Sequence, residues 1–560
     1  MWALFALLFE GSVAHGAQLW GLGPMSNATV YGRNDFRFRY RAMNRLEPGF
    51  EDTNPRLHDY IEQFERLNVI FNKENTVIGA QIDQVGMYMN KYMLNDELMY
   101  SWNLYDDSIQ TLYPGFLVVP EKVFVRQKIG ALEVSAGDVY DTFGRGIALS
   151  IFKNTAIDLD TSIRGAKMIY EQGPMRFNLI SGVSNRQQIA RLNPNYDITA
   201  NRPHQISGSQ LMLYGLGPFS LGVHGVIASF VRFDEVGTLP SEQYFDDHDL
   251  TIGGADLEFS LLGGDWYIEH DVFRYVAEEI ALEEPVLLGN TTYASVSYYP
   301  GRAVVLLEAK TAKDSERINA FISSELWELA TPPTLEYERM ITEDASAAVN
   351  SNDVKAARIR VDVAVKPAVF TPYVSVMALR DEDLEGLHFN DTPETVVHGV
   401  GGWQYAQNSK TFIINTGFRQ DIRDDGSRPD QLIHLDGEYS TPLFGDEGLE
   451  INVSGWQFQW GENPSSHEDF FEMQNAFVWR HGEHWDFTVY QDWSNNLQIS
   501  SRGNINENLY AAGEVAWKPT NQRTLRFLAG AYKAGIRCSG GQCRSLPGFE
   551  GVEFAYQQDF

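Results

Sequence analysis

The feature that most constrains this chain is an alternation of apolar and polar residues that recurs along most of its length. Near the start, aromatic residues alternate with arginines over residues 36–41 (FRFRYR). The same period of two returns at residues 357–366, 412–418, 456–460, 485–489 and 525–531. Successive side chains of a β-strand point to opposite faces, so a period of two is typical of strands. The sequence therefore predicts an all-β protein with many strands.

Three features favour a membrane barrel over a soluble sandwich of sheets. The predicted strands are about ten residues long, the length that crosses a membrane when tilted. Long polar connections at 381–391, 421–430 and 461–469 alternate with short turns such as 481–484. Aromatic residues suited to an interfacial girdle lie near predicted strand ends, at Trp403, Tyr405, Trp479, Trp493, Trp517 and Tyr532. We therefore predict a large single-chain antiparallel transmembrane β-barrel with about 20–22 strands.

Charge and motif content narrow the function classes. The chain has 75 acidic and 44 basic residues and a net charge of −31. Because phosphate binding needs a basic surface, we expect no nucleic-acid partner. An acidic lumen or acidic external loops fit the charge better. The sequence contains no G-x-S-x-G, P-loop or H-E-x-x-H motif, so we predict neither an enzyme nor a cofactor.

The N-terminal region departs from the strand pattern in two places. Residues 1–17 (MWALFALLFEGSVAHGA) join an apolar run to small residues, which predicts a signal peptide and leaves 18–560 as the barrel. Residues 54–67 (NPRLHDYIEQFERL) predict a short helix, because Tyr60, Phe64 and Leu67 follow an early proline at helical spacing. We expect segments 54–67 and 140–160 to be candidates for folding into the lumen.

The most distinctive stretch is residues 137–150 (GDVYDTFGRGIALS), followed by 158–165 (DLDTSIRG). Gly144 and Gly146 permit positive φ on either side of Arg145. A buried Arg145 needs carboxylate partners, which we expect among the nearby aspartates. Inside a barrel this stretch would form a constriction or plug, whereas a surface turn is the alternative. The constriction candidates are Arg145, Asp138, Asp141, Asp158, Asp160, Arg164, Arg37, Arg39 and Arg41.

The C-terminal region carries two further candidates. Cys538 and Cys543 bracket S-G-G-Q between the last predicted strands, so we expect a disulfide in an oxidising compartment. Terminal Phe560, with Tyr556 and Phe554 at alternate positions, resembles the signal read by the barrel-assembly machinery, although Gln558 departs from that pattern. No metal site is predicted, because the acidic runs 246–249 and 421–430 lack the spacing of a calcium loop.

The stretch that begins at residue 137 and the C-terminal region both resemble a family of porin-like Gram-negative outer-membrane barrels. Those proteins share a segment of the form G-D-x-Y-x-x-F-G-R-G-L-x-L, matched here by residues 137–149 except that Ile147 replaces the first leucine. They also share an end of the form R-C-x-G-G-x-C-R-x-x-P-x-F-x-G-V-E before a terminal phenylalanine, matched by residues 537–553 and Phe560. The resemblance implies a large outer-membrane barrel and implies no known substrate or activity.

The function that these observations favour is a porin-like channel for passive diffusion of small hydrophilic solutes, with a preference for cations. We expect it in the outer membrane after export through the periplasm, in contact with lipid, with the assembly machinery as a partner. The alternative is a plugged barrel that anchors or scaffolds a surface or secretion complex. An outer-membrane enzyme is disfavoured because no nucleophile motif is visible.

Overall fold

The structure is a computed structural model that describes most of the predicted strand regions. The described residues are 17–18, 28–43, 58–89, 116–154, 159–184, 204–230, 248–277, 286–313, 354–365, 370–381, 394–407, 409–424, 429–459, 469–495, 509–532, 535–539, 542–546 and 549–560. In chain order the strands are β1 (Ala17–Gln18), β2 (Thr29–Met43), β3 (His58–Lys73), β4 (Thr76–Met89), β5 (Phe116–Ile129), β6 (Leu132–Val139), β7 (Asp141–Phe143), β8 (Leu149–Ile151), β9 (Lys153–Asn154), β10 (Leu159–Asp160), β11 (Ile163–Gln172), β12 (Met175–Ser184), β13 (His204–Leu216), β14 (Phe219–Phe230), β15 (His248–Leu261), β16 (Gly264–Ala277), β17 (Val286–Tyr298), β18 (Ala303–Lys313), β19 (Val354–Val363), β20 (Phe370–Asp381), β21 (Glu394–Gln407), β22 (Lys410–Arg423), β23 (Asp430–Pro442), β24 (Glu447–Gln459), β25 (Phe470–His481), β26 (Trp485–Ser494), β27 (Leu509–Thr520), β28 (Arg523–Tyr532), β29 (Gly535–Ser539), β30 (Gln542–Leu546) and β31 (Phe549–Asp559).

The described strands form one closed antiparallel barrel of 24 strands, which confirms the predicted fold class. Neighbours in the chain are neighbours in the barrel, except that β6 pairs with β11 and β28 with β31. Pairing of β2 with β31 closes the ring, and Gly32 and Phe560 exchange backbone hydrogen bonds of 2.8 and 2.9 Å there. A closed ring leaves no unpaired edge in lipid. The count exceeds the expected 20–22 because the tight turns between paired strands take only a few residues.

The helix predicted over 54–67 is wrong for the residues that the structure describes. Residues from His58 onward belong to β3, which pairs with β2 and β4, while 54–57 lie outside the described part of the chain. Tyr60 and Phe64 are four residues apart, a spacing that one face of a strand shares with one face of a helix. The alternation of β2 and β4 on either side imposes the strand, because each spanning segment must satisfy its backbone through its neighbours.

The connections separate by length onto the two ends of the barrel. Tight turns join β3 to β4, β15 to β16 and most other hairpins at one end. In the turn after β15, Leu262 and Gly263 have φ of 57° and 78°, the backbone of a type I′ hairpin turn. Longer connections, such as residues 90–115 and 314–353, leave from the other end. By the rule for outer-membrane barrels, the tight turns face the periplasm.

The outer face of the barrel is apolar and carries an aromatic girdle. Side chains alternate in exposure along each strand, as in β14, where Ile227 is 58% exposed and Val226 only 1%. Near the tight turns, Trp485 stacks on Trp517 at 5.8 Å, and Trp479 on Phe487 at 5.1 Å. Such a band flanked by aromatic rings is the lipid-facing surface of a membrane barrel. Among the described residues, no helix combines the length and the apolarity that a membrane crossing requires.

Candidate functional site

The connection from β6 to β11, residues 140–162, is called the lumenal segment below, and its described part, 140–154 and 159–162, lies against the inner wall of the barrel. Its described part forms short hairpins, in which β7 pairs with β8 and β9 with β10. Phe143, Ile147 and Leu149 are buried, together with inward-facing residues of the wall. The wall residues in this apolar cluster are Val139, Ile163, Ile180, Ile206, Val226, Ala228, Leu250, Ile252, Tyr267, Phe273, Tyr293, Val354, Ala356, Met377 and Val396. Burial of these side chains away from water holds the segment against the wall.

The tip of the lumenal segment is the turn Phe143–Gly146. Gly144 and Gly146 have φ of 54° and 91°, and the Gly146 amide donates to the Phe143 carbonyl at 2.8 Å. The Arg145 amide donates to Glu269 Oε2 on β16 at 2.7 Å. Its guanidinium is exposed and lies 4.6 Å from the centre of the Tyr267 ring. The turn is thus fixed by its backbone, while the positive charge of Arg145 stays in the lumen.

The carboxylates that we expected to pair with Arg145 have other partners. Asp138 accepts from the Val123 amide at 2.8 Å and lies 3.5 Å from Arg164. Asp141 lies 3.3 Å from the ammonium group of Lys167. The expected pairing is therefore not formed with either, because both aspartates face side chains of adjacent barrel strands. Asp158 lies outside the described residues, and only the backbone of Asp160, opposite Lys153, is described.

The arginine row of β2 faces the lumen. Arg39 forms an ion pair with Glu553 of β31 and lies 3.9 Å from Glu62 of β3. Arg526 of β28 also donates to Glu553, at 2.9 Å. Arg37 points to the same face, whereas only the backbone of Arg41 is described. Carboxylates on neighbouring strands therefore compensate the positive charge of Arg39.

Sequence reasoning missed a buried polar cluster on β14, β15 and β16, directly beneath the lumenal segment. His224 Nε2 lies 2.6 Å from Asp271 Oδ1, and His224 Nδ1 lies 3.7 Å from Asp256 Oδ2. Glu269 Oε2 accepts from the Tyr267 hydroxyl at 2.6 Å as well as from Arg145. These four residues are each at most 5% exposed. The alternation along each strand indicates that these residues point inward, but it does not give the register between strands that brings them together.

The rim at the long-connection end contains an exposed ion pair. Arg380 of β20 donates to both carboxylate oxygens of Asp424, at 2.8 and 2.5 Å, just beyond the end of β22. This guanidinium holds the pKa of Asp424 below its usual range. Exposed pairs of this kind contribute little to stability.

The remaining predicted residues lie at the C-terminal end of the barrel. Cys538 and Cys543 are directly opposite each other in the hairpin of β29 and β30. Their disulfide remains a prediction. Phe554 and Phe560 point outward on β31, and the Phe560 ring covers Gly32 so closely that a Cβ there would lie 2.7 Å from Cζ. The signal peptide predicted over 1–17 lies outside the described residues apart from the backbone of Ala17.

Comparison with known proteins gives likenesses of architecture only. No protein-family profile matches the chain, and no curated protein matches it. A search of solved structures finds the siderophore receptor PirA from Pseudomonas aeruginosa, with 7% identity, a TM-score of 0.47, and coverage of 95% of this chain and 80% of that one. The P pilus usher (PapC) translocation pore has 10% identity and a TM-score of 0.41, with coverage of 95% of this chain and 98% of that one. The copper transporter OprC has 10% identity and a TM-score of 0.43, with coverage of 95% of this chain and 80% of that one.

Similarities this low transfer neither substrate nor mechanism. The assignment rests instead on the barrel itself: it is antiparallel and closed, with an even number of strands, an apolar outer band and aromatic girdles. Among membrane proteins, single-chain barrels of this kind belong to the Gram-negative outer membrane. The chain is a β-barrel protein of that membrane.

Proposed function

We propose that the barrel is a porin-like channel for passive diffusion of small hydrophilic solutes. The observation that carries this proposal is the width of the ring relative to the segment inside it. Twenty-four strands about 4.8 Å apart and tilted by about 40° enclose a circular backbone diameter of roughly 45–50 Å. A hairpin layer packed on the wall is only about 10 Å thick. The described lumenal segment therefore narrows such a lumen without filling it.

The inner wall supports a hydrophilic path beside the lumenal segment. Inward-facing side chains near the closure of the ring include the charged residues around Glu553 and the exposed Arg33–Asp35 pair, 3.0 Å apart. A row of charged and polar side chains of this kind favours water and solutes over an apolar core. Arg145 faces the same space from the lumenal segment. We place the narrowest point of the path at this residue.

The proposed preference for cations follows from the balance of charge. The chain carries a net charge of −31, and the charge of Arg39 is compensated by Glu553 and Glu62. A pore with such a wall attracts cations and repels anions.

We also propose that Phe560, Tyr556 and Phe554 are read by the barrel-assembly machinery.

A liposome-swelling assay tests whether the barrel passes uncharged solutes. We expect swelling in small sugars and a loss of swelling as the sugar grows. A variant with residues 141–160 replaced by a short Gly-Ser linker should admit larger sugars, because the constriction is removed. Heat-dependent migration on gels checks that both proteins are folded. Folded, inserted protein that passes no sugar, with or without the segment, would contradict the channel and favour the plugged scaffold.

A further inference from the structure

We propose that His224, Glu269 and Asp271 bind a divalent first-row transition-metal ion such as Zn²⁺, with Asp256 as an additional ligand or support. The site lies on the inner wall of β14–β16, beneath the turn Phe143–Gly146. It is independent of the proposed channel, because the geometry of the wall exists whether or not solutes pass.

The donor atoms have the spacing and chemistry of a metal site. One atom each of His224, Glu269 and Asp271 lies within 4.8 Å of the others. Two ligands of a tetrahedral zinc ion are about 3.4 Å apart, so small side-chain rotations suffice. An imidazole with carboxylates is a donor set that Zn²⁺ accepts, and calcium or magnesium would be expected to prefer oxygen ligands alone.

The second observation is that donor atoms in the cluster are buried without hydrogen bonds. Among the described residues, the atoms without a hydrogen bond include Glu269 Oε1, Asp271 Oδ2, Asp256 Oδ2 and His224 Nδ1. Glu269 and Asp271 are each 0% exposed. No lysine or arginine side chain in the described part of the chain forms an ion pair with these carboxylates. A bound divalent cation would supply the charge that burial of these groups otherwise lacks.

Glycines on two of these strands provide the space in which the donors meet. Gly254 lies in register between His224 and Asp271, and a Cβ there would lie 2.0 Å from Asp271 Oδ1 and 2.6 Å from His224 Nε2. Gly222 does the same for Asp256, whose Oδ2 would lie 2.0 Å from its Cβ. The side chains thus converge over bare backbone, which places a small ion rather than a larger ligand at the centre.

Metal binding at this point would also stabilise the lumenal segment. Glu269 is the carboxylate to which the Arg145 amide donates. An ion that holds Glu269 in place fixes the acceptor on which the turn depends. We therefore expect metal to rigidify the turn as well as to occupy the wall.

The test is direct binding of Zn²⁺ to the chelator-treated, full-length protein in detergent. We expect one Zn²⁺ per chain by elemental analysis, a rise in melting temperature on addition, and reversal by chelator. His224→Gln and Asp271→Asn should each lower affinity at least about tenfold. Cobalt substitution should give visible bands of an imidazole–carboxylate site in the wild type and lose them in His224→Gln.

Matched controls lie on the same strand. His270→Gln changes a histidine on the outer face of β16, bonded to Thr292 at 2.8 Å, and Asp265→Asn changes an exposed carboxylate near the turn. Both should bind Zn²⁺ like the wild type. Absence of stoichiometric Zn²⁺ in folded wild-type protein, binding unchanged in His224→Gln and Asp271→Asn, or binding of Ca²⁺ in preference to Zn²⁺ would overturn the assignment. None of these outcomes bears on solute flux, which the liposome assay measures separately.

Discussion

At the scale of single residues, the interior of this barrel depends on glycines that leave room for neighbouring side chains. Gly144 adopts a φ of 54°, and a Cβ there would lie 2.2 Å from Glu269 Oε1. Gly254 likewise leaves the space in which His224 and Asp271 meet. The sequence identified Gly144 as a turn residue because Gly144 and Gly146 flank Arg145. It did not identify Gly254, because a glycine inside a strand acquires meaning only when the register of three strands is known.

Gly144→Ala should destabilise the protein more than Gly130→Ala. Both glycines have left-handed backbones, with φ of 54° and 60°, so each substitution costs about 1–2 kcal/mol. Gly130 has open space where a Cβ would be added, whereas Gly144 meets Glu269. We expect an additional cost of about 1–3 kcal/mol for Gly144→Ala from this overlap. Free energies of unfolding in urea, measured from lipid vesicles, compare the variants, and equal losses would show that the contact with Glu269 is absent.

At the scale of elements, strands were predictable and their interruptions were less so. Alternation at 36–41 and 485–489 identified β2 and β26, because the period of two appears directly in the sequence. The spacing of Tyr60 and Phe64 was compatible with both periods, so local reasoning chose a helix where β3 runs. The pairing partners of Asp138 and Asp141 also escaped prediction. Arg164 and Lys167 reach them from β11, the strand that follows the lumenal segment in the chain and pairs with β6.

The hairpin of β29 and β30 should contain a disulfide in the mature protein. Residues directly opposite in an antiparallel pair have Cα atoms about 4.5–5.5 Å apart, within the range that a disulfide bridges. Cys538 and Cys543 are such a pair, and they are the only cysteines of the chain. Thiol titration of denatured protein isolated from the envelope should find no free thiol before reduction and two after it. Two reactive thiols without reductant would contradict the bridge.

At the scale of the whole molecule, the fold follows from one requirement. Every polar backbone group in lipid needs a partner, and a closed antiparallel ring supplies it without edges. The alternation that predicted an all-β chain therefore also predicted a barrel, once long strands and terminal aromatics were added. The exact strand count depended on turn lengths. The buried site of His224 depended on the register between β14, β15 and β16, which the alternation within each strand does not give.

The central claim is that the barrel holds an open, cation-preferring path past Arg145, and planar-bilayer recording of the purified protein tests it most directly. Under a salt gradient we expect discrete current steps and a reversal potential biased toward cations. Arg145→Gln should move that potential further in the same direction, because it removes an exposed positive charge, while Arg145→Lys should leave it unchanged. Folded, inserted protein that gives no steps, or steps biased toward anions, would contradict the account.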